Sequence, residues 1–139
     1  MQVWQFIQQK KQNSKRVMLL YVIDSNGSSP GRRGFKMAVS ADDDFCGTIG
    51  GGIMEHKFVE LAKSRLRVHE DKPDVIRQVH DKSASKNQSG MICSGEQTIF
   101  MYEISDKDLS EINTLIQSLS RNTKGTLELT IDKIGRAHV

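Results

Sequence analysis

The sequence has only two cysteines in 139 residues, Cys46 and Cys93, and neither belongs to a CxxC pair. A disulfide framework is excluded by that count, and a reducing compartment fits it. Long apolar runs are missing too. No stretch approaches the roughly 20 apolar residues that a helix needs to cross a bilayer. Residues 1–12 lack the apolar centre and small-residue cleavage site of a secretory signal, so a cytoplasmic location is expected. The formal charge of +3 is too small to argue for nucleic acid, which calls for concentrated positive charge. Lys10, Lys11, Lys15 and Arg16 read as a solvated helix end and loop. Catalytic patterns are absent as well: the sequence has no HExxH, no metal-spaced Cys/His cluster and no nucleophile elbow. Glu96 and Glu103 have no evident partner for acid–base work, and Cys46 reads as core.

What is present suffices for one compact domain with a real core. The pattern predicts a helix over residues 1–12, with Val3, Phe6 and Ile7 on one face. Residues 17–23 form a nearly unbroken apolar run, read as a strand buried on both faces. Residues 24–34 are rich in Ser, Gly, Asn and Pro and read as a loop. Short strands are expected over 35–39 and 45–49. A helix follows over 53–66, with Ile53, Met54, Phe58, Leu61, Ala62 and Leu66 at helical spacing. Residues 74–80 fit a short helix about as well as a strand, and 83–89 read as loop. A strand over 97–104, an amphipathic helix over 109–119 and a strand over 126–131 complete the pattern. The fold class expected is α+β (mixed α/β): a single domain, with about three helices packing a mixed sheet.

Three segments hold the candidate chemistry. Gly47-Thr48-Ile49-Gly50-Gly51-Gly52 lies between a strand and a helix. Consecutive glycines admit backbone angles closed to other residues and let a ligand approach the main chain. The helix start behind them presents unpaired N–H groups and partial positive charge, a seat for phosphate or another anion. A tight turn that binds nothing explains the same residues equally well. Glu55, in the first turn of that helix, either complements the helix dipole or accepts a hydrogen bond from a ligand such as a pterin ring. A second loop, with Ser28, Ser29, Pro30, Arg32 and Arg33, offers hydroxyls, turn amides and guanidinium groups to an oxyanion. It is also an ordinary connection, though its place after a buried strand allows it to lie beside the glycine turn. The third segment, residues 89–96, sets Cys93 among small residues, where its thiolate could meet a soft metal such as molybdenum or carry sulfur.

In this order and spacing, Gly27-Ser28-Ser29-Pro30, Arg33-Gly34, Met37, and the glycine turn with Glu55 resemble the XdhC/CoxI family. Met91-Ile92-Cys93-Ser94-Gly95 looks like that family's Cys-Gly-Gly element, with Ser94 in place of its first glycine. The resemblance covers roughly residues 17–104. It implies an accessory protein that binds molybdenum cofactor (molybdopterin) and assists its sulfuration and insertion into a xanthine-dehydrogenase-like molybdoenzyme. In that role Thr48, Gly50, Gly51 and Gly52 would hold the phosphate or pterin end. Ser28, Ser29 and Arg33 would line the facing loop, Glu55 would orient the pterin, and Cys93 would lie near the metal. A cysteine desulfurase and a second copy of the chain are further partners compatible with the role.

Family members commonly continue into a Rossmann-like domain, which is missing here. Residues 134–139, Ile-Gly-Arg-Ala-His-Val, read as the translation of a common sequencing-adapter start. The family-like domain is therefore expected to occupy residues 1–133, and no function is expected of Arg136 or His138. Two rival readings remain: a fragment of a nucleotide-dependent oxidoreductase, and a protein-binding adaptor that never holds cofactor.

Overall fold

The apolar run that opens at Val17 becomes the middle strand of a five-stranded sheet in the computed structural model, which describes residues 1–69, 72–79, 95–131 and 137–138. The elements are α1 (Gln2–Gln12), β1 (Val17–Gly27), β2 (Lys36–Ser40), β3 (Phe45–Thr48), α2 (Gly52–Arg67), β4 (Asp74–Val79) and β5 (Gly95–Glu103). A 3-10 turn (Asp106–Asp108) and α3 (Leu109–Ser120) follow, and β6 (Thr130–Ile131) pairs with β7 (Ala137–His138). The strand order of the large sheet is β3-β2-β1-β5-β4. Every pairing in it is antiparallel, where a mixed sheet had been expected. The α+β class stands, with one domain and three α-helices among the described residues.

Both faces of the sheet are covered, which is why β1 shows no polar alternation in its first half. Met18, Leu20 and Val22 point to one face and pack with Met37, Val39, Ile99 and Met101 under Met54, Phe58, Ala62 and Leu66 of α2. Val17 and Leu19 point to the other, where Ala38, Phe100 and Tyr102 meet Val3, Trp4 and Ile7 of α1 and Ile112 of α3. Each such side chain removed from water contributes about 1.5–3 kcal/mol before entropy is counted. On α2 the buried stripe is shifted from the expected one. Val59 is inside, while Ile53 and Leu61 are exposed.

Three other expectations change. β1 continues through Asp24 to Gly27, because β5 pairs with it beyond a register shift between Val22 and Asp24. Such a bulge adds local twist and re-aims the strand end. Residues 74–79 resolve as a strand, through six pairs with β5. Within 126–131 only Thr130–Ile131 is strand, while Leu127 and Leu129 pack on the α1/α3 side.

Charge closes the far end of α2. Arg16 grips Glu103 bidentately, Nε to Oε1 at 2.5 Å and a terminal nitrogen to Oε2 at 2.7 Å. Its other terminal nitrogen donates to the Leu66 carbonyl in the last turn of α2. Glu103, partnerless in the sequence reading, is thus committed to structure.

Candidate functional site

Only residues 49–51 separate β3 from α2, and the backbone there takes an unusual path. Gly50, Gly51 and Gly52 have φ of 132°, 78° and 71°, a run of left-handed conformations that L side chains resist by roughly 1–2 kcal/mol each. The result is a curl whose amides face inward around one carboxylate oxygen. Glu55 Oε2 accepts the Thr48 hydroxyl at 2.5 Å, the Ile49 N–H at 3.1 Å and the Gly51 N–H at 2.8 Å. Thr48 Oγ1 in turn accepts the Gly50 N–H at 3.1 Å. The anion seat expected from the sequence is therefore occupied in part by the protein's own anion. Charge-assisted bonds of this kind, at the positive end of a helix, hold the turn in shape without a ligand. They also make the turn inhospitable to a second anion and receptive to a group bearing N–H or O–H donors.

The loop after β1 backs this turn. A Cβ placed on Gly31 would lie 2.0 Å from the Ile49 carbonyl oxygen and 2.3 Å from Gln97 Nε2, so only glycine permits the approach. Likewise a Cβ on Gly50 would lie 2.7 Å from the Gly31 nitrogen. Ser29 is buried and donates its hydroxyl to the Gly31 carbonyl at 3.2 Å. From below, the buried Gln97 of β5 donates Nε2–H to the Ile49 carbonyl at 2.8 Å. Gln78 of β4 stands directly opposite Gln97 in the ladder. It is 5% exposed, and its Nε2 has no acceptor among the described residues. On the outer side, a Cβ at Gly51 would meet nothing within 4 Å. The turn is thus supported from behind and beneath and open outward.

Residues 11–78, which contain the loop, the glycine turn and α2, match the model of the XdhC and CoxI family. Through that segment the chain is similar to the XdhC and CoxI family. It is similar to the uncharacterized protein YqeB of Escherichia coli strain K12, 37% identical over 82 residues. That stretch is 58% of this chain and 14% of the relative, so the chain spans a small part of that protein. Among solved structures it is similar to a xanthine dehydrogenase from Bacillus halodurans, with a TM-score of 0.65 and 17% identity. The match covers 85% of this chain and 35% of the other, and at that identity it speaks for the fold alone.

Within this domain the residues singled out in the sequence separate into groups. Thr48, Gly50, Gly51, Gly52 and Glu55 form the turn itself. Ser28 and Ser29 lie in the backing loop, with Ser28 exposed and Ser29 turned inward. Arg33 is not brought to the turn. It donates its backbone N–H to Ser25 Oγ and lines a cavity with Tyr21, Ile23 and Leu127, on the face opposite α2. Cys93, with Met91, Ile92 and Ser94, lies outside the described residues, as does the expected loop at 83–89. Cys46 is half-buried rather than core, because β3 is an edge strand. Glu96 is tied to Arg77 and Asn26, with its carboxyl held below the ordinary range chiefly by the Arg77 guanidinium. Among the described residues no cluster of three or more His, Cys, Asp and Glu side chains suits a metal ion. No helix among them is long and apolar enough to cross a membrane.

Sequence reasoning missed Gln78 and Gln97. A glutamine in an alternating strand reads as the solvent side, and only the pairing of β4 with β5 shows that both lie beneath α2. The available signal was positional: Gln78 follows Ile76 at strand period and precedes a polar stretch of sequence.

Proposed function

We propose that this domain is an accessory factor that binds molybdenum cofactor in the cytoplasm and assists its sulfuration and insertion into a xanthine-dehydrogenase-like molybdoenzyme. It is a carrier, not a catalyst of substrate turnover. The observation that carries this reading is the glycine turn, preformed, open on one side and contained in the segment that matches the family. The family match over residues 11–78 and the fold shared with a xanthine dehydrogenase support the molybdoenzyme context.

The residues fit a pterin better than a phosphate. Glu55 places negative charge at the turn, and an N–H-bearing pterin edge complements it where a phosphate is repelled. The cofactor, when bound, supplies the metal centre that the client enzyme needs for its chemistry. The chain's own work is to hold and orient it. Gly51 and Gly52 leave the main chain accessible, Thr48 fixes the Glu55 carboxylate, and Ser29 and Gly31 hold the loop against the back of the turn. Cys93 is proposed to stand near the metal or its sulfido ligand.

The reading is tested by anaerobic titration of purified molybdenum cofactor into this chain and into its Gly51→Val and Cys93→Ala variants. Saturable binding that falls at least about tenfold in Gly51→Val is expected, equivalent to about 1.4 kcal/mol. Absence of binding in this chain and in a version carrying the second domain would overturn the carrier reading. If the molybdoenzyme were still bound in that case, the domain would be an adaptor.

A further inference from the structure

We infer that Gln78 is a ligand-contacting residue of the glycine-turn seat, donating its Nε2–H to a carbonyl oxygen or ring nitrogen of a bound pterin. This deepens the cofactor reading and rests on it. Buried amide donors are almost always paired, because leaving one unmade costs about 1–3 kcal/mol. Gln78 is 5% exposed and its amide nitrogen lacks an acceptor among the described residues. A neutral donor kept dry and unpaired marks a place where an acceptor arrives from outside the chain.

Its position says where that acceptor arrives. Gln78 is the ladder partner of Gln97, and directly opposed side chains in an antiparallel pair stand about 4.5–5.5 Å apart at Cβ, on one face. Two residues back, Ile76 packs in the cluster beneath α2, which fixes that face as the α2 side. Gln97 spends its own Nε2–H on the Ile49 carbonyl at 2.8 Å, so it reaches the glycine turn and Gln78 stands one ladder position from that contact. On the other side of the same peptide, the Ile49 N–H donates to Glu55 at 3.1 Å. A carboxylate acceptor thus lies at Ile49, and the free amide donor of Gln78 lies beside the carboxamide that buttresses the same residue. That pattern complements the pyrimidinone edge of a pterin, where ring N–H, amino N–H and carbonyl are adjacent. It does not complement a phosphate, which presents acceptors alone and repels Glu55. Guanine carries the same edge, and the experiment separates the two sources.

The test compares Gln78→Met with the unaltered chain by thermal unfolding and by anaerobic titration with molybdenum cofactor, a free pterin, GTP and inorganic phosphate. Methionine matches glutamine in length and removes the unpaired donor. Without ligand, Gln78→Met is expected to unfold at the same temperature or a few degrees higher, because an unmade hydrogen bond is replaced by packing. Its affinity for the cofactor and for free pterin is expected to fall about tenfold, with phosphate not bound by either protein. A lowered unfolding temperature would mean that Gln78 has a partner within the fold, and would overturn the inference. Unchanged cofactor affinity in Gln78→Met, beside lost affinity in Gly51→Val, would also overturn it while leaving the carrier reading intact. Preference for GTP over pterin would overturn the pterin assignment. If no cofactor binds the unaltered chain, the carrier reading fails and the inference falls with it, whatever the unfolding temperatures show.

Discussion

The two ends of α2 are anchored by opposite means. At its start three glycines impose the chain path, and a carboxylate from the helix itself ties the turn together. At its end a single arginine, coming from the residue before β1, joins the last helical carbonyls to β5. The first device leaves main chain exposed, and the second hides charge among side chains, with Glu103 only 12% exposed. Backbone conformation is used where the surface stays open, and side-chain pairing where the domain only has to hold together. A stabilised seat and a stabilised scaffold are therefore separable by mutation.

The sharpest way to break this contrast is Gly31→Ala. The added Cβ would collide with the Ile49 carbonyl at 2.0 Å, and a loss of about 3 kcal/mol or more is expected in urea unfolding, since the obstacle is backbone. A loss under about 1 kcal/mol would show that the loop is not held against the turn. Arg16→Met comes next. It strands the half-buried Glu103 and should cost about 2 kcal/mol, less than a fully buried pair because Arg16 keeps some contact with water. Cofactor affinity should not change with it, and a parallel loss would mean that the two ends are coupled. Glu55→Gln keeps an acceptor but removes the charge at the turn, for an expected cost of about 1 kcal/mol. It should also let inorganic phosphate bind, which isothermal titration would detect.

The smallest effect belongs to the surface pair joining α1 to the β2–β3 turn. Asp42 has its carboxyl pushed down to about 2, chiefly by the Lys10 ammonium 2.9 Å away. Its folded pKa lies below the ordinary 3.8, so its contribution is present above that value and is lost as pH falls toward 2. Asp42→Asn should flatten this acid limb and cost no more than about 0.5 kcal/mol at neutral pH. A larger cost would give the pair a role comparable with Arg16.

Much of the scaffold was legible because hydrophobic pattern and pairing agree. The run from Val17 to Val22 has to be buried on both sides, and it is the middle strand. Met54, Phe58, Ala62 and Leu66 announce α2 by spacing alone. Where the pattern was silent, tertiary pairing decided the outcome. Asp24 to Gly27 carry no strand signal and are extended because β5 lies alongside them. The segment at 74–79 is a strand for the same reason. The glycine turn was visible as a motif, and so was its nearness to the loop at Ser29, but the occupation of its amides by Glu55 was not. Spacing alone cannot tell a carboxylate turned inward from one left for a ligand. Arg33 was grouped with the turn through the resemblance and the order of the motifs, yet it lines a cavity with Tyr21, Ile23 and Leu127 on the other side of the sheet.

One consequence follows for synthesis on the ribosome. The Ile49 carbonyl is buttressed by Gln97, 48 residues later, from a strand that enters the sheet between β1 and β4. A nascent chain that has emerged only through α2 already holds every glycine of the turn, but its β1 is still an edge strand and nothing lies beneath Ile49. The turn gains this support only when β5 inserts, so the order of translation leaves it unbuttressed until nearly the whole sheet exists.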